Sequence, residues 1–191
     1  MADPTQPSIR HATYEDVPEI LAMITELASY EKAEDKVLAT EDSLKRTLTF
    51  DQSGTSSHTN KGFAKTLILR LPTSPTHTGD EPQAVAGMAM YFNNYSTWRA
   101  KPGVYLEDLF VRPQYRARGY GKMLIQALAQ EVLKIDGARL EWCCLRWNEP
   151  SLRFYDSLGA KQMTDWVSLR VDGKELEDLA MGRTKALKSG S

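Results

Sequence analysis

Residues 105–122 read Tyr-Leu-Glu-Asp-Leu-Phe-Val-Arg-Pro-Gln-Tyr-Arg-Ala-Arg-Gly-Tyr-Gly-Lys, and they predict a strand, a turn and a helix in succession. The apolar and aromatic residues up to Val111 favour a β-strand, and Pro113 ends it because proline has no N–H to donate to a sheet. Apolar residues then recur at helical spacing from Leu124 to Val132. The first N–H groups of a helix bind anions, so a strand, a glycine-containing turn and a helix N-terminus together predict a phosphate-binding loop.

Two neighbouring carboxylates, Glu107 and Asp108, lie inside this strand, directly before the loop. Apolar strands seldom contain paired acids without a partner or a chemical role, because an unpaired charge is costly to bury. We therefore expect an anionic cofactor to be held beside acid–base groups. Successive residues of a strand face opposite sides, so the two carboxylates are not expected to share one role.

The length and composition are those of an ordinary globular protein. The 191 residues are enough for a hydrophobic core, and we expect a single domain over residues 1–191 with disordered tails at 1–7 and 181–191. The net charge of −1 and the isoelectric point near 6.3 do not favour nucleic acid or an anionic membrane as a partner, because both are bound through clustered positive charge. No apolar run approaches the ~20 residues that a membrane span needs.

Cysteine use and the first residues predict a cytoplasmic protein. The two cysteines, Cys143 and Cys144, are adjacent and would point to opposite faces of a strand, which argues against a disulfide between them and fits a reducing compartment. The sequence begins Met-Ala-Asp-Pro-Thr-Gln-Pro-Ser, without the basic and apolar regions of a secretory signal. Histidine and cysteine spacing does not match a metal site, so no metal is expected.

The pattern along the chain predicts an α/β protein built on a mixed sheet. Strands are predicted at residues 8–12, 63–71, 84–92, 105–111, 139–145 and 167–171. Helices are predicted from Thr13 to about Tyr30, after Thr40, after the glycine turn, after Pro150 and at 175–180, with polar loops at 51–62 and 72–83. The order is β-α-α-β-β-β-α-β-α-β with a short terminal helix. Strands that follow one another without a helix pair antiparallel, so the sheet is expected to be mostly antiparallel with helices on its faces.

Four segments, in this order, resemble the GNAT superfamily of acetyl-CoA-dependent N-acetyltransferases. They are Glu-Leu-Ala-Ser-Tyr-Glu at 26–31, Gly-Met-Ala-Met-Tyr-Phe at 87–92, the strand at 105–111 with its Arg-x-x-Gly-x-Gly loop at 116–121, and Trp-Asn-Glu-Pro-Ser at 147–151 followed by Phe-Tyr at 154–155. Within the superfamily the chain is similar to the diamine (spermidine/spermine) and thialysine acetyltransferase group. A dinucleotide fingerprint is not matched, because the third glycine and the downstream acid are missing.

The chain departs from the family pattern in two places. The loops at 51–62 and 72–83 are longer than usual in the family, which leaves the catalytic segments intact but could reshape the substrate mouth. Tyr-Ser-Thr-Trp at 95–98 resembles the thialysine-type branch more than the polyamine-type branch, which is more acidic here. This difference favours a compact amine over a long polyamine.

The resemblance implies acetyl-CoA as the acetyl donor and assigns residues to hold it. The backbone of Leu109, Phe110 and Val111 would pair with the pantetheine arm. The loop and helix start would hold the pyrophosphate through backbone N–H groups; its residues are Arg116, Ala117, Arg118, Gly119, Tyr120, Gly121 and Lys122. Asn148 and Ser151 would hydrogen-bond the cofactor, although Asn148 could instead cap the helix that Pro150 starts.

Acetyl transfer to an amine needs a base and an acid. A lysine-like amine has a pKa of about 10.4 and arrives charged, so Glu107 is the candidate base, acting directly or through water. Tyr155 is the candidate acid, because a phenol with a pKa of about 10 suits a thiolate leaving group with a pKa of about 8.5. Glu107 in a structural ion pair and Tyr155 in ordinary core packing are the alternatives.

The resemblance also implies a small cationic amine as the acceptor and a homodimer. Tyr30 and Glu31 would lie at the substrate mouth, and Glu141, Trp142 and Cys143 would flank the substrate from the neighbouring strand. Two other functions remain open from the sequence. One is a protein acetyltransferase acting on histone or other lysines or on N-termini, and the other is a non-catalytic acyl-CoA-binding module.

Overall fold

The computed structural model describes residues 6–51, 62–72 and 84–183. The chain divides into two compact units, Met1–Trp147 and Asn148–Ser191. The predicted loops at 51–62 and 72–83 and the predicted tails lie largely outside the described residues, and the single domain over 1–191 stays a prediction.

Within the described residues, the first unit contains six strands and three α-helices. The strands are β1 (Ser8–His11), β2 (Leu48–Thr49), β3 (Ala64–Arg70), β4 (Val85–Ser96), β5 (Lys101–Val111) and β6 (Leu140–Trp142). The helices are α1 (Val17–Tyr30), α2 (Glu41–Thr47) and α3 (Tyr120–Lys134), with single 3-10 turns at Tyr14–Asp16, Glu34–Lys36 and Pro113–Tyr115. Thr40 caps α2 as predicted, because its hydroxyl accepts the Ser43 N–H at 3.1 Å.

The strands form one sheet in the order β1-β3-β4-β5-β6, with β2 also beside β3. The pairs β1–β3, β3–β4 and β4–β5 are antiparallel, and β5–β6 and β2–β3 are parallel. The predicted mixed, mostly antiparallel sheet is therefore confirmed. The parallel β5–β6 pair is joined through α3, as a parallel crossover requires.

Helices cover the two faces of this sheet. On one face, Ile20 and Met23 of α1 form a core with Met88, Met90 and other side chains. On the opposite face, the hydroxyl of the next residue, Tyr91, reaches Glu131 of α3. This follows from the alternation of side chains along β4, and it places α1 and α3 on opposite sides of the sheet.

Ion pairs anchor α1 to the sheet at its start and in its middle. Asp16, only 2% exposed, is bound by Arg10 at 2.6 Å and by Arg70 at 2.7 Å. Near the end of β5, Arg112 contacts Glu19 at 2.9 Å and Glu26 at 3.0 Å. These pairs fix the direction in which α1 runs across the sheet, which matters for the site described below.

The second unit contains α4 (Glu149–Ser157) and α5 (Gly173–Ala180). The strand predicted at 167–171 is wrong, because these residues have no strand structure. Val167 and Leu169 are 78% and 88% exposed. Alternating apolar residues favour a strand only where a second strand supplies hydrogen bonds, and among the described residues this segment has no such neighbour.

The hairpin of β4 and β5 is longer than predicted, and β6 is shorter. Pairing continues from Phe92↔Tyr105 to Ser96↔Lys101, through Asn93 and Asn94, which are poor strand formers. β6 ends at Trp142, so Cys143 and Cys144 lie beyond it rather than on a strand, and both are free thiols. In the part of the chain that the structure describes, no helix has the length and apolar character of a membrane span.

Candidate active site

The edge of β5 that faces β6 is open along its second half. The two strands pair only from Val104↔Leu140 to Leu106↔Trp142. β5 then continues to Val111, beyond the last residue of β6. The backbone N–H and C=O groups of residues 109–111 on this side therefore have no ladder partner in β6. An unpaired strand edge of this kind can bind an extended ligand that contains amide groups.

The N-terminus of α3 lies directly after this open edge. Its first helical hydrogen bond runs from the Met123 N–H to the Gly119 carbonyl at 3.0 Å. The N–H groups of Tyr120, Gly121 and Lys122 precede that bond and lie outside the helical ladder, so they can donate to an anion. Gly119 has a φ of 81°, and a Cβ there would meet no atom within 4 Å. Glycine is thus favoured at this position by the left-handed backbone conformation and not by a lack of room for a side chain.

The two arginine side chains of this loop both contact the protein. Nε of Arg116 donates to the Val111 carbonyl at 2.9 Å, and its guanidinium lies over the rings of Tyr30 and Phe110. The Arg118 guanidinium donates to the Gln114 carbonyl at 3.4 Å. It is the backbone of the loop, rather than these guanidiniums, that provides the clearest anion site.

A β-bulge displaces Glu107 from the regular pleat. Tyr91 of β4 pairs with Leu106, and Met90 pairs with Asp108, so Glu107 is the extra residue. Regular alternation is interrupted at Glu107, and the expectation that Glu107 and Asp108 do not share one role stays a prediction. Glu107 is exposed, while Asp108 is half-buried. Asp108 precedes Phe110 by two residues and shares its face of the sheet, which is the α1 side.

The charges of two carboxylates act on a third, Asp108, at this point. Burial raises the pKa of Asp108 to about 6, and the charges of Glu107 and Glu31 contribute to that rise. Burial also raises the pKa of Glu31. Glu31 follows directly after α1, where a negative charge is unfavourable because of the helix dipole. We call Glu31, Glu107 and Asp108 the acidic cluster.

The predicted residues after and within β6 have their own partners. Oε2 of Glu141 is bound by Nε of Arg139 at 2.8 Å and by the Asn94 amide at 2.6 Å. The Cys143 thiol accepts a hydrogen bond from the Tyr105 hydroxyl at 3.1 Å, and this bond, followed by burial, raises the pKa of Tyr105 to about 12. Trp142 is half-buried. Glu141 is charge-compensated and so is a weaker ligand for a cation than the acidic cluster.

The remaining predicted residues lie on or beside α4 in the second unit. Oδ1 of Asn148 accepts the Ser151 N–H at 3.3 Å, so Asn148 caps the helix, which was the alternative interpretation of the sequence. Tyr155 is half-buried, and its ring lies 5.2 Å from that of Phe154. Roles for Asn148, Ser151 and Tyr155 at a cofactor stay predictions. Among residues 6–51, 62–72 and 84–183, no group of three or more histidines, cysteines or acids is placed to hold a metal ion.

Asp108 is an addition to the candidate site, in which the sequence placed only Glu107. A paired acid in an apolar strand is the sequence signal that points to it. The bulge beside it could not be predicted from this strand alone, because a bulge is defined by pairing with β4.

An open strand edge, a helix N-terminus suited to an anion and a cluster of acids thus lie on consecutive parts of the chain around β5 and at the end of α1. The Acetyltransferase (GNAT) family model matches residues 70–160. The chain is also 33% identical to thialysine N-epsilon-acetyltransferase of Bos taurus over 177 residues, which cover 90% of this chain and 96% of the relative. The protein therefore belongs to the GNAT family of acetyltransferases and is an acyltransferase.

Two further likenesses agree with this membership. L-ornithine N5-acetyltransferase of Arabidopsis thaliana is 29% identical over 204 residues, covering 88% of this chain and 86% of the relative. An integron cassette protein from the mobile metagenome of V. cholerae has the same fold, with a TM-score of 0.67 at 23% identity, covering 92% of this chain and 98% of that protein. Acetyltransferases of the GNAT family use acetyl-CoA as the donor.

Proposed function

We propose that this protein transfers an acetyl group from acetyl-CoA to the primary amine of a small cationic substrate, such as thialysine, ornithine or a diamine. The acidic cluster carries the proposal. Glu31, Glu107 and Asp108 concentrate negative charge beside the open edge of β5, in a protein whose net charge is only −1. Carboxylates held near one another raise the free energy of the empty site, and a bound ammonium group offsets that cost.

The donor would lie along β5 and end at α3. Its pantetheine amides pair with the backbone of residues 109–111, and its pyrophosphate accepts N–H groups from the start of α3. Asn148 and Ser151 are assigned further hydrogen bonds to the donor by resemblance to the family alone. The open edge of β5 and the N–H groups at the start of α3 that make no helical hydrogen bond support this placement.

The amine must lose a proton before it can attack the thioester. A lysine-like ammonium has a pKa of about 10.4, so at neutral pH it binds as a cation and needs a base. Glu107 is exposed on its bulge and takes the proton, directly or through water. Asp108, whose pKa is about 6, is ionised at neutral pH and adds to the attraction for the cation.

The leaving group must gain a proton as the acetyl group departs. A thiolate with a pKa of about 8.5 accepts one from a phenol with a pKa of about 10, and Tyr155 is the phenol assigned to this step. The nitrogen attacks the thioester carbon, the carbon–sulfur bond breaks, and CoA leaves as a thiol. The second proton lost by the nitrogen restores the Tyr155 phenol, and the proton taken by Glu107 passes to solvent.

A compact amine is favoured over a long polyamine. The bovine relative is named for thialysine and the plant relative for ornithine, both amino acids with a side-chain amine. The segment at 95–98 supports the same preference. Among the described residues, the acids of the site are few and close together, which suits one or two positive charges rather than a long series.

The direct test follows the release of free thiol from acetyl-CoA with a panel of amines. Thialysine, ornithine, lysine, putrescine and spermidine are compared at equal concentration. We expect the amino acids with side-chain amines to give the highest kcat/KM. Absence of thiol release with every amine in the panel would refute the proposal, and calorimetry with CoA alone would then show whether the protein is a binding module.

A homodimer in the cytoplasm is part of the same proposal. Trp166, Val167 and Leu169 form an exposed apolar segment, 64%, 78% and 88% exposed. Such segments in soluble proteins are normally covered by a partner, and a second copy of this chain is the proposed partner. Two free thiols, Cys143 and Cys144, support a reducing compartment.

A further inference from the structure

One arginine connects the end of α1 with the loop that starts α3. The guanidinium carbon of Arg116 lies 5.3 Å from the ring centre of Tyr30 and 5.7 Å from that of Phe110. Both distances are within the ~6 Å range of a cation–π contact. Tyr30 is the last residue of α1, and Glu31 of the acidic cluster follows it. Arg116 therefore contacts the helix end that presents this carboxylate.

The same side chain is also fixed to β5. Its Nε donates to the Val111 carbonyl at 2.9 Å, which holds the guanidinium within reach of the two rings. Arginine combines a planar stacking surface with an Nε donor in a fixed geometry, whereas lysine has a flexible point charge and no planar group. The ring of Trp147, in the segment after β6, lies 6.0 Å from that of Tyr30. The end of α1 is thus contacted from the loop after β5 and from the segment after β6.

This helix end needs such contacts. Glu31 places a negative charge at the C-terminus of α1, and the last turn of the helix contains no basic residue. The dipole and the nearby Asp108 charge both act against the ordered position of Glu31. The ion pairs of α1 with Arg112 involve Glu19 and Glu26 and not the last residues. Arg116 contacts the last residue of this turn, Tyr30.

We propose that Arg116 is a positioning residue for the amine. Its stacking on Tyr30 holds the end of α1, and with it Glu31, at a fixed place beside β5, while the backbone of the loop binds the donor phosphates. The proposal rests on the proposed acetyl transfer. It assigns Arg116 a role on the amine side of the reaction, although the residue lies in the donor loop.

Kinetics separate this role from phosphate binding. Arg116→Ala is expected to raise KM for the amine about 3- to 10-fold while KM for acetyl-CoA changes by less than about 2-fold. Arg116→Lys should resemble the alanine variant, because lysine keeps the charge but cannot stack and donate in the same way. Arg118→Ala is the matched control in the same loop. Arg118 lies over Tyr115 rather than Tyr30. The KM for the amine should therefore be lower in Arg118→Ala than in Arg116→Ala.

A double-mutant cycle tests whether the effect passes through Tyr30. Arg116→Ala and Tyr30→Leu remove opposite sides of one contact, so the double variant should be little worse than either single variant in amine KM. Tyr30→Phe keeps the ring and should keep the coupling to Arg116. Additive effects of Arg116→Ala and Tyr30→Leu would overturn the proposal. So would an acetyl-CoA KM that rises in Arg116→Ala and recovers in Arg116→Lys.

Hydrogen exchange tests the contact without any turnover. The N–H groups of residues 31, 32 and 33 bond to Leu27, Ser29 and Ala28 in the final turn of α1. Arg116→Ala should speed their exchange, and Arg118→Ala should not. Unchanged exchange in Arg116→Ala would overturn the positioning role even if acetyl transfer is confirmed. Faster exchange in a protein that acetylates no amine would leave the contact standing and refute the proposed function alone.

Discussion

Asp108 is a half-buried carboxylate whose charged neighbours include two other acids, Glu107 and Glu31. Its pKa in the folded protein, about 6, lies above the ordinary value of 3.8. A group with a raised folded-state pKa contributes stability that is complete below its unfolded pKa and is lost as the pH rises through the folded value. The site therefore holds Asp108 ionised at neutral pH at the expense of stability.

Replacing this charge should stabilise the protein above pH 6. Asp108→Asn is neutral at every pH, so it is expected to raise the free energy of unfolding at pH 8 by at most about 3 kcal/mol, the equivalent of the shift from 3.8 to about 6. The gain should shrink as the pH is lowered towards 4. Urea unfolding at both pH values measures it, with Asp165→Asn, an exposed acid, as the control. A gain that does not depend on pH would contradict the raised pKa.

The same carboxylate should shape the pH dependence of the reaction. As the pH falls through about 6, Asp108 becomes protonated and its attraction for the amine is lost. Below pH 6, we expect kcat/KM for the amine to fall more steeply with pH than protonation of the substrate alone requires. This additional fall in kcat/KM should be missing in Asp108→Asn. Rate profiles from pH 5 to 9 show it. An identical fall in the variant would assign it to another group.

Tyr155 is the residue whose role depends most on resemblance. If its phenol protonates the thiolate, Tyr155→Phe should lower kcat about 10²- to 10⁴-fold and leave CoA affinity unchanged. Steady-state kinetics and calorimetry measure the two quantities. Phe154→Leu, next along the same helix, is the control for packing, because the two rings are in contact. A phenylalanine variant with full kcat would remove Tyr155 from the mechanism.

At the scale of elements, the residue that caps the start of α3 is a left-handed glycine. Gly119 has a φ of 81° and open space where a Cβ would lie, so alanine there meets no atom but must adopt a strained backbone. Gly119→Ala should cost roughly 1 to 2 kcal/mol of stability and raise KM for acetyl-CoA. Gly159, at the end of α4, has a φ of 84° and equally open space, so Gly159→Ala is the matched control.

The two glycine variants should differ only at the donor site. Both should lower the melting temperature by similar amounts, because both force alanine into the left-handed region. Only Gly119→Ala should weaken CoA binding, as measured by calorimetry. Equal CoA affinity in the two variants would show that the N-terminus of α3 does not hold the donor phosphates.

Elements with strong local signals could be predicted from the sequence. The apolar spacing of α1 and α3 and the cap at Thr40 placed these helices near their observed positions, because helix signals are local. The strand at 105–111 and the break at Pro113 were likewise predicted. Parallel pairing of β5 with β6 follows from the helix between them.

Elements that depend on a partner strand could not be predicted. The bulge at Glu107 exists only in relation to β4, so the sequence of β5 alone could not predict it. Asn93 and Asn94 belong to a strand because β5 pairs with them, in spite of their own low strand propensity. Val167 and Leu169 show the reverse case, because they have high β-strand propensity but form no strand.

At the scale of the whole molecule, the exposed segment around Leu169 predicts self-association. The wild-type protein should elute and scatter light as a dimer, and Leu169→Glu should give a monomer because it places a charge in the apolar contact. Leu38→Glu is the control, since Leu38 is 89% exposed and Leu169 88% exposed. A monomeric wild-type protein, or equal disruption by both variants, would contradict the proposed interface.

The most direct test of the central claim is mass spectrometry of thialysine after reaction with isotopically labelled acetyl-CoA. The acidic cluster predicts that label appears on the side-chain amine with the wild-type protein. The Glu107→Gln and Asp108→Asn double variant should give far less label while still binding CoA. Label on no amine, from a protein that binds CoA, or equal labelling by the double variant would contradict the claim that these carboxylates bind and deprotonate a small cationic amine.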